Sequence, residues 1–420
     1  MTILLRSAAI LLTLSAGTLL AAAPVAALTL ENALQATLAN NPALAGKQAE
    51  YAAAQGSLSS AKSQRLPSLS VAMNNVDNQD HNTQGTVVLR QPLWAFGKIS
   101  QSIDQAEANS AVERLGVDQV RRELLTRTAV SFARIEGIVA RQRVARQNVA
   151  EHERLYEQIQ RRQEGQLASD ADVRLAYSRL LQAKATLQRL HGEYRIALSD
   201  LERLTLLPVT ELAPVSAEYL LLPQEQDLWQ LALANSIDLA QKQAALEAAD
   251  VAIRQAKSAS LPTLYLQAEH DFYESKNNFA DLNEDRAGLV LEASLDGAGF
   301  TSLGQVRSAV ARRSAAEQDI DVTRNELRYR VEQLKSNLRL QNQLVEALSA
   351  TVTALEGTAE SFLRQYETGR KSWLDLLNTQ RELQQQQLEL EQSVNERLTI
   401  ALQINALIGG LDAIVAEREQ

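Results

Sequence analysis

The feature that most constrains this chain is a helical stretch of unusual length in its last third. From about residue 299 to residue 366 there is no proline, and apolar residues recur at alternating three- and four-residue steps. The apolar positions of this pattern are Ile320, Leu327, Val331, Leu334, Leu338, Val345, Leu348, Val352 and Leu355. A heptad repeat held over this length predicts a coiled coil, whereas a helix of a compact domain averages about 11 residues. At about 1.5 Å per residue, the rod is on the order of 100 Å long.

The first residues have the composition of a secretory signal peptide. Arg6 precedes an apolar run that ends near Leu20, and small residues follow through Ala27. This arrangement predicts a signal peptide over residues 1–27, cleaved at its end or after Ala23. The alternative, a permanent membrane helix, is disfavoured because the run is short for a span of about 20 residues.

Composition excludes several classes of protein. The net charge of −9 provides no basic surface for nucleic acid, so no nucleic-acid partner is expected. The chain has no cysteine, and therefore no disulfide, no thiolate metal site and no cysteine to carry a lipid anchor. The four histidines have no paired metal-ligand spacing, and no phosphate loop, nucleophile elbow or catalytic triad is present. We therefore predict a protein that is not an enzyme and has no metal or cofactor.

Nearly the whole mature chain is a tandem duplication. Segments of the first half return about 195 residues later, as expected for an internal repeat. The matched segments are 38–44 with 233–239, 66–69 with 261–264, and, near the ends of the halves, Gly165 with Gly369. The predicted boundaries are 28–226 for the first repeat, 227–410 for the second, and 411–420 for a charged C-terminal tail.

Each repeat is predicted to run helix, hairpin, long helix, turn, helix. The first helix is expected at about 29–63 and again at 227–260, and a Leu-Pro pair ends it because proline favours an extended chain before it. The predicted strands are about 67–76 and 84–93 in the first repeat and 262–273 and 286–295 in the second, with polar tips between them. A linker at 208–223 is expected to form a belt halfway along the helices.

The strands alternate between apolar and polar residues. Leu69, Val71 and Met73 share one face, whereas Arg90 and Glu292 lie on the opposite face. Strands of about 10 residues with one apolar side are long enough to cross an outer membrane. Because even a small barrel needs about eight strands, four strands require pairing with other chains. The alternative is a pair of soluble hairpins that pack on the helices.

The order of these elements and several short motifs resemble the TolC-like outer-membrane efflux protein family. The motifs lie where one element passes into the next: 28–34 after the signal, Asn40-Asn41-Pro42, the two Leu-Pro pairs, 91–97, and the turns 165–173 and 366–376. Each motif is weak alone. Their order, their duplication and their coverage of the chain make the resemblance specific.

The resemblance implies a mainly α protein with a small β part, built from a duplicated helix–hairpin–long-helix unit. In a homotrimer, twelve strands would close one outer-membrane β-barrel, and twelve helices would continue it as a periplasmic coiled-coil α-barrel. A periplasmic adaptor protein and an inner-membrane pump, either an ABC transporter or a proton-driven pump, would dock at the closed tip. The implied location is the outer membrane, in contact with its lipid, with most of the mass in the periplasm.

The two helix-to-helix turns lie farthest from the strands and form the candidate periplasmic gate. Gly165 and Gly369 are expected to let the backbone leave each long helix. Asp172 and Asp375 recur a few residues later, and around a trimer they would form carboxylate rings, which favour cations at a constriction. Helix capping is the alternative explanation for both. Because the first turn is about one residue longer, Asp170 is an equal candidate for facing the pore.

The resemblance assigns two further residues to the gate. In the family, a tyrosine and a basic residue flank the glycine of the second turn and hold the closed gate through hydrogen bonds and ion pairs. Tyr366 and Lys371 occupy these places. The family often has arginine at the basic position, and lysine cannot make its planar bidentate contact, so a weaker latch is expected.

The junction between strand and long helix is marked by Trp94, Phe96 and Gly97, with Gly299 at the same place in the second repeat. Aromatic residues at this place are typical of a membrane interface, and simple packing is the alternative.

The resemblance predicts the exit duct of a tripartite export system. The Trp-Ala-Phe-Gly-Lys junction and the missing N-terminal cysteine favour type I protein secretion. The outlet of a drug or metal efflux pump is the alternative cargo class. A periplasmic coiled-coil structural protein that forms no channel is the alternative from a different class.

Overall fold

A computed structural model of the chain describes residues 27–76, 82–274, 284–294 and 296–418. Residues 1–26 of the predicted signal peptide therefore lie outside the described residues, as do most of both predicted hairpin tips and residue 295 at the end of the fourth predicted strand. The first repeat consists of α1 Leu30–Asn40, α2 Pro42–Ser63, β1 Ser68–Val76, β2 Asn82–Trp94, α3 Lys98–Glu164 and α4 Asp170–Thr205. The second consists of α5 Leu228–Ala234, α6 Ile237–Ser258, β3 Thr263–Glu274, β4 Glu284–Glu292, α7 Phe300–Glu367 and α8 Trp373–Leu407, followed by α9 Gly410–Arg418.

The long helix predicted from the heptad pattern is α7, which contains 68 residues. Every apolar position of that pattern is buried or half-buried, and Leu327, Val331 and Leu334 are among the buried ones. The counterpart in the first repeat, α3, contains 67 residues. The heptad pattern therefore identified the element along which the second repeat is assembled.

The first helix of each repeat is broken, although the sequence predicted it to be continuous. In the first repeat, Pro42 begins α2, and the Asn41 side chain accepts a hydrogen bond of 3.0 Å from the amide of Ala43. Proline suits a first helical position because its missing N–H would have no partner there. In the second repeat Ser236 caps α6 by accepting from the amide of Leu239 at 3.2 Å. The capping residues divide each helix in two.

The four strands form one antiparallel sheet in the order β1-β2-β3-β4. The two hairpins have equivalent registers: Leu69 lies opposite Leu89 in the first, and their repeat equivalents Leu264 and Leu291 lie opposite each other in the second. The duplication seen in the sequence is therefore a duplication of strand pairing as well.

The shorter helices pack end to end beside the long ones. Near the sheet, α2 and α6 pack along α3. Beyond the linker, α4 and α8 pack along α3 in their place. The second long helix, α7, packs along α6 and then along α8. Each layer of the protomer therefore contains four helices side by side.

The largest hydrophobic core lies at mid-height, where α1, α3, α4, α8 and the linker meet. Phe132 and Leu125 of α3 are fully buried in it, and the linker contributes Val209 and Tyr219. The linker begins beside the N-terminal segment, where the Leu28 amide donates to the Glu211 carbonyl at 2.9 Å. The linker thus packs across the helices halfway along their length, as the sequence predicted.

The predicted C-terminal tail is wrong for most of its length. Instead of a tail over 411–420, the chain forms α9 as far as Arg418. Leu411 and Val415 are 0 % and 1 % exposed in the mid-height core, and the Asp412 carboxylate lies 2.9 Å from the Arg122 guanidinium of α3. Two apolar side chains four residues apart share one face of a helix, and this spacing anchors α9.

Among the described helices, none taken singly is long and apolar enough to cross a membrane. The bent pair of α8 and α9, which meet at 75°, passes that test by length and composition together.

Candidate functional site

The two turns at the far end of the helical hairpins have the same backbone conformation. In each turn, an amide reaches back five residues to a helical carbonyl, from Leu167 to Arg162 at 2.7 Å and from Arg370 to Gln365 at 2.8 Å. This is the hydrogen bond of a Schellman motif, which satisfies carbonyls left free at a helix end. Both long helices therefore end in the same way.

In the first turn, the residue with the left-handed backbone conformation is not the glycine that the sequence predicted. Gly369 has a left-handed φ of +74°, but Gly165 has an ordinary φ of −80°. The left-handed residue of the first turn is Gln166, with a φ of +60°. Gln166 is thus the equivalent of Gly369, and the sequence match of Gly165 with Gly369 was wrong by one position. With this alignment Asp172, six residues after Gln166, is the equivalent of Asp375.

Asp172 and Asp375 both lie in the first turn of a returning helix. The Asp172 carboxylate accepts a hydrogen bond from the Ser169 amide at 3.1 Å, while the Ser169 hydroxyl accepts from the Asp172 amide at 3.2 Å. The Ser372 hydroxyl accepts in the same way from the Asp375 amide at 3.1 Å. This capping stabilises the start of each returning helix. The negative charge of each carboxylate also interacts favourably with the positive end of the helix dipole. Both side chains are half-buried.

Asp170 has a different environment from Asp172. It is exposed at the start of α4, and its carboxylate accepts a hydrogen bond from the Gln163 side chain at 3.0 Å. It takes no part in the reciprocal capping pair.

Both hairpins contribute to a small hydrophobic core at this end, which we call the tip cluster. Its buried members are Leu155, Ile159, Ala176, Tyr366, Trp373, Leu376 and Leu377. Burial raises the pKa of the Tyr366 phenol, while nearby Arg162 acts in the opposite direction. Among the described residues, the buried Trp373 Nε1 has no hydrogen-bond partner. The packing of aliphatic and aromatic side chains therefore holds the two hairpins together at the tip.

Lys371 makes its contacts within its own hairpin. Its Nζ lies 4.1 Å from the centroid of the Phe362 ring and 3.8 Å from the Asp375 carboxylate. An ammonium over an aromatic face is attracted by the ring quadrupole.

At the opposite end of the helices, the strand-to-helix junctions also match. Left-handed residues directly precede each long helix: two before α3, which are Phe96 and Gly97, and three before α7, which are Gly297, Ala298 and Gly299. Trp94 and Phe96 are 63 % and 49 % exposed, and their rings meet edge to face with centroids 6.0 Å apart. Trp94 and Phe96 thus lie together, and both aromatic rings are exposed in the protomer.

One face of the sheet is apolar and exposed. Leu69, Met73 and Leu289 on this apolar face are 66–67 % exposed, and Val71 and Leu291 are 61 % and 64 % exposed. Apolar side chains exposed to this extent on β1 and β4 form a patch that water does not favour.

The opposite face is polar and internally hydrogen-bonded. Arg90 lies 3.7 Å from Glu292 and donates to the Gln267 side chain at 2.9 Å, so the sequence prediction that Arg90 and Glu292 share this face is confirmed. Arg286 pairs with Glu269 at 3.2 Å and also with buried Asp271. One face of the sheet is therefore apolar and the other is polar.

Comparison with known proteins identifies the family. The family model described as outer membrane efflux protein matches residues 33–205 and 228–410, which are the two repeats. The chain belongs to this family. Outer membrane efflux protein BepC of Brucella suis is 22 % identical over 400 residues, which cover 93 % of this chain and 87 % of BepC.

Solved structures share the fold of this efflux-family chain. VceC of Vibrio cholerae superposes with a TM-score of 0.76 at 16 % identity, over 90 % of this chain and 96 % of VceC. The open state of the MtrE outer membrane channel of Neisseria gonorrhoeae gives 0.73 at 17 % identity, over 91 % and 89 % of the two chains. The mainly helical architecture with one small sheet is therefore the fold of these channels.

Membership of the outer membrane efflux protein family establishes what the chain is in general terms. It is an outer-membrane channel protein with a large periplasmic helical part, and it is not an enzyme. Channels of this family work with adaptor proteins and inner-membrane pumps. In the described ranges, no group of three or more histidine, aspartate or glutamate side chains is arranged to hold a metal ion.

Sequence reasoning missed three residues of the tip. Gln166 was missed because nothing in the local sequence distinguishes a glutamine that adopts a left-handed backbone conformation. Arg162 contacts a residue more than 200 positions away, which no local pattern encodes. Trp373 could have been found, because it and Tyr366 are two aromatic residues that flank the second turn.

Proposed function

We propose that three copies of the chain assemble into a continuous duct through which cargo leaves the cell. The observation that carries this proposal is the sheet, which combines an exposed apolar face with two open edges. Within the described four-stranded sheet, β1 and β4 each have one neighbour. In lipid, an unpaired strand edge is costly because its N–H and C=O groups find no water. Pairing β4 with β1 of the next copy removes both edges at once.

The polarity of the two faces fixes which side of the closed sheet is outside. The exposed leucines of the apolar face meet lipid, and the charged network of Arg286, Asp271 and Glu269 lines the water-filled interior. Three four-stranded sheets give twelve strands, which is above the minimum of about eight for a barrel.

The helices support the same assembly. Both lateral flanks of the protomer expose large apolar side chains, and such patches mark interaction surfaces. On α7 they are Val310, Val322, Tyr329, Leu340 and Leu344, and on α4 they are Tyr177, Leu181 and Ile196. When the flank of one copy packs against the opposite flank of the next, the ring of helices closes beneath the sheet.

In this arrangement the tip is where the duct meets its partners. A periplasmic adaptor and an inner-membrane pump, either an ABC transporter or a proton-driven pump, dock near the two turns. Asp172 and Asp375 act as two carboxylate rings around the opening as well as capping their helices, and they favour cations there. Replacing both by asparagine keeps the capping geometry and lowers the preference for cations.

For the cargo, we propose polypeptides exported by a type I secretion system. The support is the resemblance of the 94–98 junction to that branch of the family and the absence of cysteine, hence of a cysteine-borne lipid anchor. A small-molecule efflux pump is the second candidate, favoured by the efflux name of the 22 % identical relative BepC. A coiled-coil protein that forms no channel would leave the apolar face of the sheet without a function.

A clean chromosomal deletion tests the cargo proposal. The deleted strain, the parent and a strain complemented with the wild-type chain are compared for secreted and surface proteins, and for sensitivity to detergents, dyes and metals. Loss of one large exported protein with unchanged sensitivity supports type I secretion. Broad hypersensitivity with an intact set of secreted proteins contradicts it and supports small-molecule efflux.

A further inference from the structure

A cavity lies at mid-height, where the linker crosses the long helix α3. Its walls come from α3, α4, α8 and the first residues of the linker, and its volume is about 580 Å³. Small-molecule sites in proteins commonly have volumes of about 300–1,000 Å³. The cavity is therefore large enough for a small ligand, and it lies apart from both the sheet and the two turns.

Much of the cavity wall is apolar. Val139 of α3 is 40 % exposed, and Val394 and Leu398 of α8 are half-buried. Tyr194 of α4 and Leu212 of the linker, both half-buried, complete this part of the wall. Such a wall stabilises the apolar part of a ligand by removing it from water.

The cavity also contains a carboxylate that has no basic partner. Glu136 of α3 is half-buried, and its Oε2 accepts a hydrogen bond of 3.3 Å from the Val215 amide of the linker. Across the part of the chain that the structure describes, no basic side chain forms an ion pair with it. Burial raises the pKa of the Glu136 carboxyl, and the Val215 amide acts in the opposite direction. A carboxylate withdrawn from water in this way is stabilised by a nearby cation.

The other charged side chains around the cavity balance one another. Arg143 and Arg146 are positive, and Glu211 and Glu391 are negative. All except the half-buried Glu391 are exposed. With these four charges in balance, Glu136 gives the cavity a negative excess, so a positively charged ligand is favoured over a negatively charged one.

Next to Glu136, an asparagine of α8 lies against the backbone of α3. A Cβ at Gly137 would collide with the Asn395 side chain, so glycine leaves the room that this side chain occupies. Within residues 27–76, 82–274, 284–294 and 296–418, the buried Asn395 Oδ1 has no hydrogen-bond partner. The last torsion of an asparagine side chain has broad minima. Asn395 can therefore turn this acceptor toward a donor in the cavity.

We propose that the mid-height cavity binds small apolar molecules that carry a primary ammonium group. The ammonium group pairs with the Glu136 carboxylate and donates a second hydrogen bond to the Asn395 side chain. An ammonium group has three N–H donors, so it can serve both acceptors. The apolar part of the molecule lies against Val139 and Leu398. The site does not depend on which cargo the duct carries.

The test measures protection of a thiol in the cavity, using the purified full-length chain. The chain has no cysteine, so Val139→Cys introduces a single thiol, which is labelled by the neutral reagent methyl methanethiosulfonate. The probe is phenethylammonium, and hydrocinnamate, which has a similar shape and the opposite charge, is the control. Labelling rates are measured for Val139→Cys alone, with Glu136→Gln, and with Glu391→Gln.

We expect phenethylammonium at concentrations on the order of millimolar to slow the labelling of Val139→Cys several-fold, and hydrocinnamate to have no effect. Glu136→Gln keeps an acceptor for the Val215 amide but removes the charge. It should therefore raise the concentration needed for half-protection roughly tenfold or more. Glu391→Gln removes a carboxylate at the edge of the cavity and should retain the protection.

Several results would overturn the inference. Equal protection by the two probes, or protection that survives Glu136→Gln, would show that this carboxylate does not recognise the ammonium group. Labelling that phenethylammonium does not slow, or a thiol that the reagent cannot reach, would show that the cavity is not its site. If Glu136→Gln does not fold, Asn395→Ala decides, because loss of the second acceptor should also weaken the protection.

Discussion

At the scale of single residues, the turn that follows α3 contains a residue with a strained backbone conformation. The turn that follows α7 does not. Gln166 has a φ of +60° where the equivalent residue is Gly369. A side chain in the left-handed region costs roughly 1 kcal/mol, which glycine does not incur. We therefore expect Gln166→Gly to raise the free energy of unfolding by several tenths to about 1 kcal/mol. The measurement is the denaturant midpoint of the purified protein.

Gly165 supplies the matched control for that prediction. Its φ is ordinary, and an added Cβ would meet the nearest atom, the Arg162 carbonyl oxygen, at a normal 3.6 Å. We expect Gly165→Ala to leave the midpoint nearly unchanged and Gly369→Ala to lower it. A larger loss for Gly165→Ala than for Gly369→Ala would mean that the alignment of the two turns is wrong.

A second residue makes the hairpins sensitive to acid. His152 on α3 is 3 % exposed, and burial lowers the pKa of its imidazole, with a smaller opposing effect of Glu151. Since the unfolded pKa is about 6.5, the unfolded chain binds the proton first as the pH falls. The stability contributed by neutral His152 is therefore complete above about pH 6.5 and is lost toward the lower folded pKa, at a rate of at most about 1.4 kcal/mol per pH unit.

The prediction for His152 is a change in slope. In His152→Gln, unfolding midpoints measured from neutral to mildly acidic pH should fall less steeply than in the wild type. His191→Gln, at a half-buried position on α4, is the comparison variant. Identical slopes for His152→Gln and the wild type would show that another group causes the acid sensitivity.

At the scale of elements, α9 is expected to be a structural part of the mid-height core. Leu411 is fully buried there, and truncating a buried leucine to alanine costs about 2–5 kcal/mol. Leu411→Ala should therefore lower the free energy of unfolding by an amount in that range, measured by denaturant unfolding. Ala413→Ser, on the exposed side of α9, is the matched control. Equal stabilities of the two variants would mean that α9 is detached in solution.

The elements show how far sequence reasoning extends. The heptad spacing of α7 and the Leu-Pro pairs before β1 and β3 predicted the long helix and the hairpins, because these features depend on neighbours along the chain. The helix α9 was missed because its apolar residues form only a short pattern within a charged segment. The pairing of Arg162 with Tyr366 was missed for a different reason: the fold creates it, and no spacing within either turn indicates it.

At the scale of the whole molecule, the duplication predicts how one protomer meets the next. Strands β2 and β3 join the two repeats within the chain, and there Arg90 lies opposite Gln267. Their repeat equivalents are Glu292 on β4 and Ala72 on β1, because the hairpin registers coincide. If copies join as the repeats do, Glu292 lies opposite Ala72 of the next protomer.

The measurement that tests the central claim is therefore disulfide trapping across that contact in intact outer membranes. The chain has no cysteine of its own, so the double variant Ala72→Cys/Glu292→Cys carries the only two thiols. The control Ser70→Cys/Glu292→Cys moves one thiol two residues along the same face, roughly 7 Å away.

After mild oxidation, denaturing gels should show the first variant as linked dimers and trimers with nothing larger, and the control as largely unlinked monomer. This result would establish a closed ring of three copies joined in the predicted register. Unlinked monomers in both variants, or linked species that end at the dimer, would contradict the trimeric duct.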